Sequence, residues 1–350
     1  MTVSSKDASR RDFLRFIAAA ASAAAIGENV IAQTGSASAT GVPVRPLGKT
    51  GVRVSIIGVG GSHAGRIPAE EGTRFMHMAV DEGVTFFDNA WDYAGGAAEE
   101  IMGRNLAMDG YRKKVFLMTK NCGRDYKDSM KCLEDSLRRL RTDHLDLWQF
   151  HEINYDSDPD WVVERGALKA AIEARQAGKV RFIGFTGHKH PSIHLSMLAK
   201  NFDWDTSQMP NNVADAHFRS FRQNVQPVCV KRNIGVIGMK GMGGREGILL
   251  GKEALTAEEC LRYCLSQPVS VQIVGMTSID ELKKNVAVAR NFKPLSPEEK
   301  TKLLARVKEI ASDGRFEIFK TQNDFDADIH RMQHGMAPRG DPTAVPKIGE

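Results

Sequence analysis

Beyond residue 50 the chain alternates between short β-branched or aromatic runs and longer amphipathic segments, and this alternation limits the fold more than any other feature. "VSIIGVG" precedes segment 70–82, "VTFFD" 98–108, "KVFLMT" 129–140 and "LDLWQF" 161–177. Then "VRFIGF" precedes 192–200, "TSQM" the less regular 214–231, "GVIGM" 257–266 and "VQIVG" 279–290. Each apolar run is bounded by a polar or Gly-rich turn, as strands are. Buried runs alternating with helices call for a parallel sheet covered on both faces. About eight such units close into a (β/α)8 TIM barrel. The rival, an open doubly wound sheet, lacks a GxGxxG opening the first helix. A chain of 350 residues accommodates one such barrel, which commonly uses ~250.

The beginning differs in kind. "SRRDFLRFIAAAASAAAIG" sets Arg10 and Arg11 before an Ala-rich apolar run too short to span a bilayer. It resembles a twin-arginine export signal. An amphipathic N-terminal helix is the other reading, disfavoured by the adjacent arginines, Phe13-Leu14 and the small residues that follow. Cleavage is expected after Ala32 or Ala39. The expected division is residues 1–40 as export signal and linker, 41–311 as a barrel with an N-terminal hairpin, and 312–350 as a tail placed to close the active site. The signal implies the twin-arginine machinery as partner, a periplasmic or otherwise exported location, and no stable membrane span after its removal.

Charge and cysteine content narrow the function. Removing residues 1–32 takes away Lys6, Arg10, Arg11 and Arg15 against Asp7, Asp12 and Glu28, so the formal +5 becomes +4. So small an excess, with no basic run interleaved with aromatics, does not point to nucleic acid. Cys122, Cys132, Cys229, Cys260 and Cys264 are odd in number and lack paired CxxC spacing, which argues against a disulfide framework or zinc ribbon. Cys260 and Cys264, one helical turn apart, read as small buried side chains rather than a metal pair. Cys122 reads as a small loop residue before a redox-sensitive thiol.

In a closed barrel the chemistry gathers at the carboxyl ends of the strands. Asp88 ends a strand in "FFDNAWDY", Tyr93 lies on its loop, Lys120 ends the next strand in "FLMTK", and His151 the one after in "LWQFH". Singly, each has a bland explanation as a helix cap, a solvent-reaching lysine or a satisfied core histidine. Together, four polar groups from three successive strands converge on one mouth. Reducing a carbonyl by hydride leaves negative charge on oxygen, which needs a proton donor and a polar pocket. Tyr93 is the natural acid. A free phenol has a pKa near ~10, so Lys120 is expected to lower it, Asp88 to aim Lys120, and His151 to orient the carbonyl.

"RPLGKTGVRVSIIGVGG", "FFDNAWDY", "MTK", "QFH", "GKVRFIGFTG", "SQM" and "IVGMTSIDELKKNV" follow in an order that resembles the aldo-keto reductase superfamily, from about Arg45 to Asn291. The resemblance implies the tetrad Asp88, Tyr93, Lys120 and His151, a nicotinamide cofactor, and a small-molecule aldehyde, ketone or sugar-like carbonyl, or the corresponding alcohol, as substrate. It further implies cofactor contacts at Gly60, Gly61, Thr186, Gly275 and Gln208, the last binding the nicotinamide amide. Gly187 stands where asparagine is common, so His188 either supplies the missing bond or faces solvent. Met239 takes a position where many members stack an aromatic ring. Gly241, Gly243 and Gly244 let backbone amides approach the pyrophosphate, with Lys240 adding charge.

The segment that chooses between dinucleotides reads Met276, Glu281, Lys284 and Asn285 where phosphate-gripping members place a hydroxyl, an arginine, a glutamate and an asparagine. A carboxylate repels a phosphate dianion but accepts from a ribose diol, while Lys284 can reach a phosphate. The cofactor is NAD(H) or NADP(H), with the balance toward NAD(H). No metal is expected: His63, His151 and His188 are a constellation by residue type, but the tetrad already explains His151 and no carboxylate partner is evident. His63 and Trp91 are pocket candidates, with Trp161, Phe316, Phe319 and Phe325 as further wall residues. Two other functions stay open. An enzyme can retain its nucleotide and cycle it internally in epimerisation or elimination, since an envelope compartment does not replenish soluble cofactor; or the barrel is noncatalytic.

Overall fold

The computed structural model describes residues 41–244 and 247–339. The paired arginines at 10 and 11 and both cleavage positions lie outside the described residues. Val44–Pro46 (β1) and Arg53–Ser55 (β2) form an antiparallel hairpin with Val44 opposite Ser55. "VSIIGVG", expected as one strand, is therefore divided, and Ile57–Gly60 (β3) opens the barrel. Side-chain bonds hold the division. Ser55 N–H donates to Thr85 Oγ1 at 3.0 Å, Thr85 N–H donates to Ser55 Oγ at 2.9 Å, and the Ser55 hydroxyl donates to the Ile57 carbonyl at 2.7 Å.

Phe86–Asp88 (β4), Phe116–Asn121 (β5), Leu145–Phe150 (β6), Val180–Thr186 (β7), Thr206–Pro210 (β8), Gly235–Met239 (β9) and Val271–Val274 (β10) complete the sheet. Strands β3 to β10 run parallel, and β10 pairs with both β9 and β3, so the sheet closes. This is the expected (β/α)8 barrel with its N-terminal hairpin.

Outside run Ala69–Asp81 (α1), Ala97–Leu106 (α2), Tyr126–Leu140 (α3), Ala167–Gln176 (α4), Pro191–Ala199 (α5), Gln226–Lys231 (α6), Ala257–Leu265 (α7) and Ile279–Arg290 (α8), followed by Pro297–Ala311 (α9). Segment 161–177, expected as one helix, is broken at Gly166, whose φ of 90° separates Asp158–Glu164 from α4. α7 and α9 each begin with a reciprocal capping box, Thr256 with Glu259 and Ser296 with Glu299. Such an N-cap is worth about 1 kcal/mol. No helix among the described residues is long and apolar enough to cross a membrane.

Side chains alternate across a strand, and this period builds the site. Phe86, Phe116, Met118, Leu147, Ile237 and Val271 form one buried cluster with Leu47 and Val54 of the hairpin segment. Each such side chain contributes ~1.5–3 kcal/mol through burial. Two residues further along the same strands, on the same face, stand Asp88, Lys120 and Gln149. The amino end of the barrel is thus plugged with apolar groups, and polar groups take over toward the carboxyl end.

After α9 the chain returns to the loops that follow the strands. Lys320 Nζ donates to Asp215 Oδ1, the Phe218 carbonyl and Glu317 Oε2, each at 2.8 Å. The three charged side chains are fully buried, so this knot ties the tail to the loop after β8.

Candidate active site

A cavity of about 980 Å³ opens at the carboxyl end of the barrel. That is the upper end of the ~300–1,000 Å³ usual for ligand sites. Asp88, Tyr93, Lys120 and His151 all line it. Lys120 Nζ donates to Asp88 Oδ1, to the Asn89 carbonyl at 2.8 Å and to the Tyr93 hydroxyl at 3.2 Å. The second Asp88 oxygen accepts from Gln208 Nε2 at 2.9 Å. Tyr93 is followed by three left-handed residues, Ala94, Gly95 and Gly96, at φ 51°, 63° and 97°. They turn the chain directly into α2. The His151 ring meets the Tyr93 ring edge-on with centroids 5.5 Å apart, and its Nδ1–H donates to Asp92 Oδ1 at 2.8 Å.

The expectation that Lys120 lowers the Tyr93 pKa is not met. Burial holds that phenol well above its usual value, and Asp88, Asp92 and Glu152 add to the rise. Asp88 already answers the Lys120 charge, which leaves little for the phenol. Tyr93 is therefore neutral at pH 7, the form that donates a proton. Burial also lowers the His151 pKa, with Asp92 opposing.

The cofactor positions divide. Gly60, Gly61, Thr186, His188, Gln208, Met239, Lys240, Gly241 and Gly275 line the cavity. Gln208 Nε2 gives one hydrogen to Asp88, and its Oε1 is buried without a partner. A buried acceptor of this kind fits an amide N–H such as that of nicotinamide. A Cβ on Gly275 would lie 2.7 Å from the His63 ring, so glycine is what lets His63 sit in the wall. Gly187 lies behind the wall, where a Cβ would come within 2.2 Å of the Ile153 carbonyl, so the asparagine common there is shut out. His188 lines the cavity and does not lie free in solvent. It is buried, and its Nε2–H donates to Asp326 Oδ1 at 3.0 Å.

Lys240 reaches toward the tail, with its Nζ 4.9 Å from the Phe325 ring centroid and 5.5 Å from that of Phe319. Burial, with Lys120 nearby, lowers its pKa to about 8. Gly243 stands outside the lining, at φ 84°, while Gly244 is part of it. Glu281 lines the cavity and accepts from Thr277 N–H at 2.7 Å and its hydroxyl at 3.1 Å. Lys284 and Asn285 fall outside the lining, and Asn285 Nδ2 donates back to the Glu281 carbonyl at 2.8 Å. Met276 is packed into the core behind the wall.

Trp91, expected in the pocket, faces the other way. Its Nε1–H donates to Asp135 Oδ2 at 3.2 Å and the Arg139 guanidinium lies 5.2 Å from its ring, so α3 rather than the cavity receives it. Trp161 stacks on His334, Phe316 joins a second apolar cluster, and Phe325 alone of the candidate phenylalanines lines the cavity. All five thiols are free and buried; burial pushes Cys122 far above the ordinary thiol range, against a reactive role.

The sequence reading missed several groups. Asp326 accepts from His188, from Asn154 Nδ2 at 3.2 Å and from the Tyr155 hydroxyl at 2.8 Å, and Lys189 Nζ lies 3.0 Å away. Glu152, whose pKa burial and then Asp326 raise to about 8, accepts from Ala327 N–H at 2.9 Å. Asp92 was visible beside Tyr93 but had no assigned part.

The Aldo/keto reductase family matches residues 56–258, more than half of the chain. L-galactose dehydrogenase of Arabidopsis thaliana is 25% identical over 307 residues, covering 75% of this chain and 92% of that protein. An uncharacterised oxidoreductase of Bacillus subtilis, YrpG, is 36% identical over 231 residues, covering 59% and 68%. Among solved structures, an aldo-keto reductase from Bacillus halodurans in its holo form superposes with a TM-score of 0.64 at 24% identity, over 76% of this chain and 96% of that one, a likeness of fold. The chain belongs to the aldo/keto reductase family and is an NAD(P)H-dependent oxidoreductase of carbonyl compounds.

Proposed function

We propose that Tyr93 is the proton donor of this carbonyl reduction, that Lys120 and Asp88 hold it in place, and that Gln208 seats the nicotinamide. The observation that carries this reading is the chain of bonds from Tyr93 through Lys120 and Asp88 to Gln208, which ends in an unpartnered buried carbonyl oxygen. The bound nicotinamide supplies the hydride. Tyr93 then delivers a proton to the oxygen on which charge develops, and the buried surroundings strengthen each hydrogen bond to it. Loss of NADH absorbance with simple aldehydes tests the reading, and no turnover on any aldehyde or ketone with a nucleotide-loaded protein would count against it.

The preferred dinucleotide is NAD(H). Glu281 presents a carboxylate at the cavity edge and Lys284 does not reach the lining, a combination that disfavours a phosphate dianion. Glu281→Arg is expected to raise the NADPH to NADH ratio of kcat/KM at least ~10-fold, since one charge-assisted bond replaces one repulsion. An unchanged ratio places the ribose elsewhere.

The protein is exported in folded form by the twin-arginine route, a reading supported by Arg10, Arg11 and the apolar run after them. Changing both arginines to lysine is expected to leave the precursor in the cytoplasm. Fractionation with an antibody to the chain checks this, and unchanged export argues for another route.

A further inference from the structure

We propose that α2 and α3 form a second binding site, apart from the cavity, which takes a small phosphate-class oxyanion, as the free ion or a phosphate monoester, and braces the turn that carries Tyr93. A hollow of about 260 Å³ lies between the two helices. Four arginines line it, Arg104, Arg138, Arg139 and Arg141, with Glu100 the only carboxylate among its lining residues.

Basic residues near the end of a helix are ordinary, because the helix dipole favours cations there. Arg104 lies in the last turn of α2, Arg138 and Arg139 in the last turn of α3, and Arg141 is the left-handed cap of α3 at φ 51°. The dipole accounts for each arginine singly. It does not account for their meeting. Gly103 does, since a Cβ there would collide with the Arg139 carbonyl oxygen and lie 2.5 Å from Leu140 Cα. Glycine weakens a helix interior, and here it lets α2 cross directly against the end of α3.

Like charges gathered at one place repel unless carboxylates or a bound anion answer them. The carboxylates fall short. Arg139 has Glu99 at 3.2 Å. Arg138 reaches Asp135 only at 3.5 Å, and Asp135 already accepts from Lys131 Nζ at 2.9 Å and Trp91 Nε1 at 3.2 Å. Among the described residues, no carboxylate pairs with Arg104 or Arg141. Guanidinium forks match the oxygens of an oxyanion, which accept paired N–H bonds. The hollow is smaller than the ~300 Å³ at which drug-sized sites begin, so it suits a phosphate group rather than a dinucleotide.

Arg139 connects the hollow to the Tyr93 turn. Its side chain is 10% exposed. Nη1 donates to the Trp91 carbonyl at 2.9 Å and to Glu99 Oε2 at 3.2 Å, which leaves Nε and Nη2 for the hollow. The same guanidinium lies against the left-handed turn after Tyr93: a Cβ on Gly96 would stand 2.6 Å from Nη1 and 2.7 Å from Nη2. An oxyanion that engages Arg139 therefore steadies, from outside the cavity, the segment running from Trp91 to Gly96.

The test titrates inorganic phosphate into the full-length protein by calorimetry, with NADH saturating so that the cavity does not take up phosphate, and with ionic strength held constant by sodium chloride. One phosphate per chain is expected, and Arg104→Gln with Arg141→Gln is expected to weaken its binding at least ~10-fold. Turnover without phosphate should be the same in both proteins. Equal phosphate affinity in wild type and the double variant overturns the proposal, as does chloride binding as tightly as phosphate. Glycerol phosphate, titrated in parallel, separates the two sources: tighter binding of the ester assigns the site to monoesters, tighter binding of phosphate to the free ion, and binding of neither overturns it. The link to Tyr93 is read by hydrogen exchange of the peptide spanning residues 91–97. Phosphate is expected to slow that exchange at least ~3-fold in wild type and to leave the double variant unaltered. Exchange that phosphate does not change in wild type overturns the bracing of the Tyr93 turn.

Discussion

Tyr93→Phe is expected to lower turnover at least ~10²-fold while folding and nucleotide affinity are retained. Phenylalanine keeps the ring, and with it the edge contact to His151 and the ammonium of Lys120 lying 4.8 Å from the ring centroid. What it removes is the hydroxyl that accepts from Lys120 at 3.2 Å and faces the cavity. Because burial and the surrounding carboxylates keep that hydroxyl protonated, its loss removes a proton already in place. The effect should appear in kcat and kcat/KM together, as for an interaction made only in the transition state. Fluorescence titration of NADH and a thermal melt serve as controls. Turnover within a few-fold of wild type on a verified substrate would sink the assignment of Tyr93 as donor.

The second large effect is on stability. Lys120→Met is expected to cost ~3–5 kcal/mol, because it strands Asp88 as a buried charge whose remaining partner is the amide of Gln208. For a domain of this size the fall in Tm should be on the order of 10 °C. Asp88→Asn combined with Lys120→Met should recover much of that loss, since removing both charges leaves neither uncompensated. Denaturant melts of the two single variants and the double variant form a cycle that measures the coupling. A single-variant loss below about 1 kcal/mol would mean that water reaches Asp88 and that the pair is not buried in effect.

Local pattern carried the reading of the chain as far as local causes reach. The strands from Leu145 and Gly235 and the helix from Ile279 appear at their expected bounds, because period and turn residues are properties of a short window. The same holds for the placement of Asp88, Lys120 and His151 at one mouth, since a strand end follows from the run that precedes it. The division at Ser55 was not legible, because it depends on Thr85, thirty residues away in sequence. Trp91 went wrong for a related reason. Its partners Asp135 and Arg139 lie on another helix, and a loop tryptophan two residues before Tyr93 shows no phase that would reveal which way it faces. Asp326 was hidden most completely. It sits in a segment without period, and its partner His188 is 138 positions away. Thr277 and Met276 show the limit in miniature, since a shift of one position exchanges cavity for core.

The buried knot of Lys320, Asp215 and Glu317 also bears on the order in which the protein is made. Chains fold from the amino end during synthesis. All eight barrel strands and the glycines that line the cavity leave the ribosome before Lys320 and Asp326 do. A nascent chain can therefore hold all eight barrel strands with Tyr93, Lys120 and Asp88 in place, yet lack the part of the cavity wall that Phe325, Ala327, Asp328 and Ile329 line. Premature termination before residue 320 would remove the ammonium that answers the buried Asp215, together with the tail's part of the cavity wall. A quality-control step that senses only a compact barrel would let such a fragment pass.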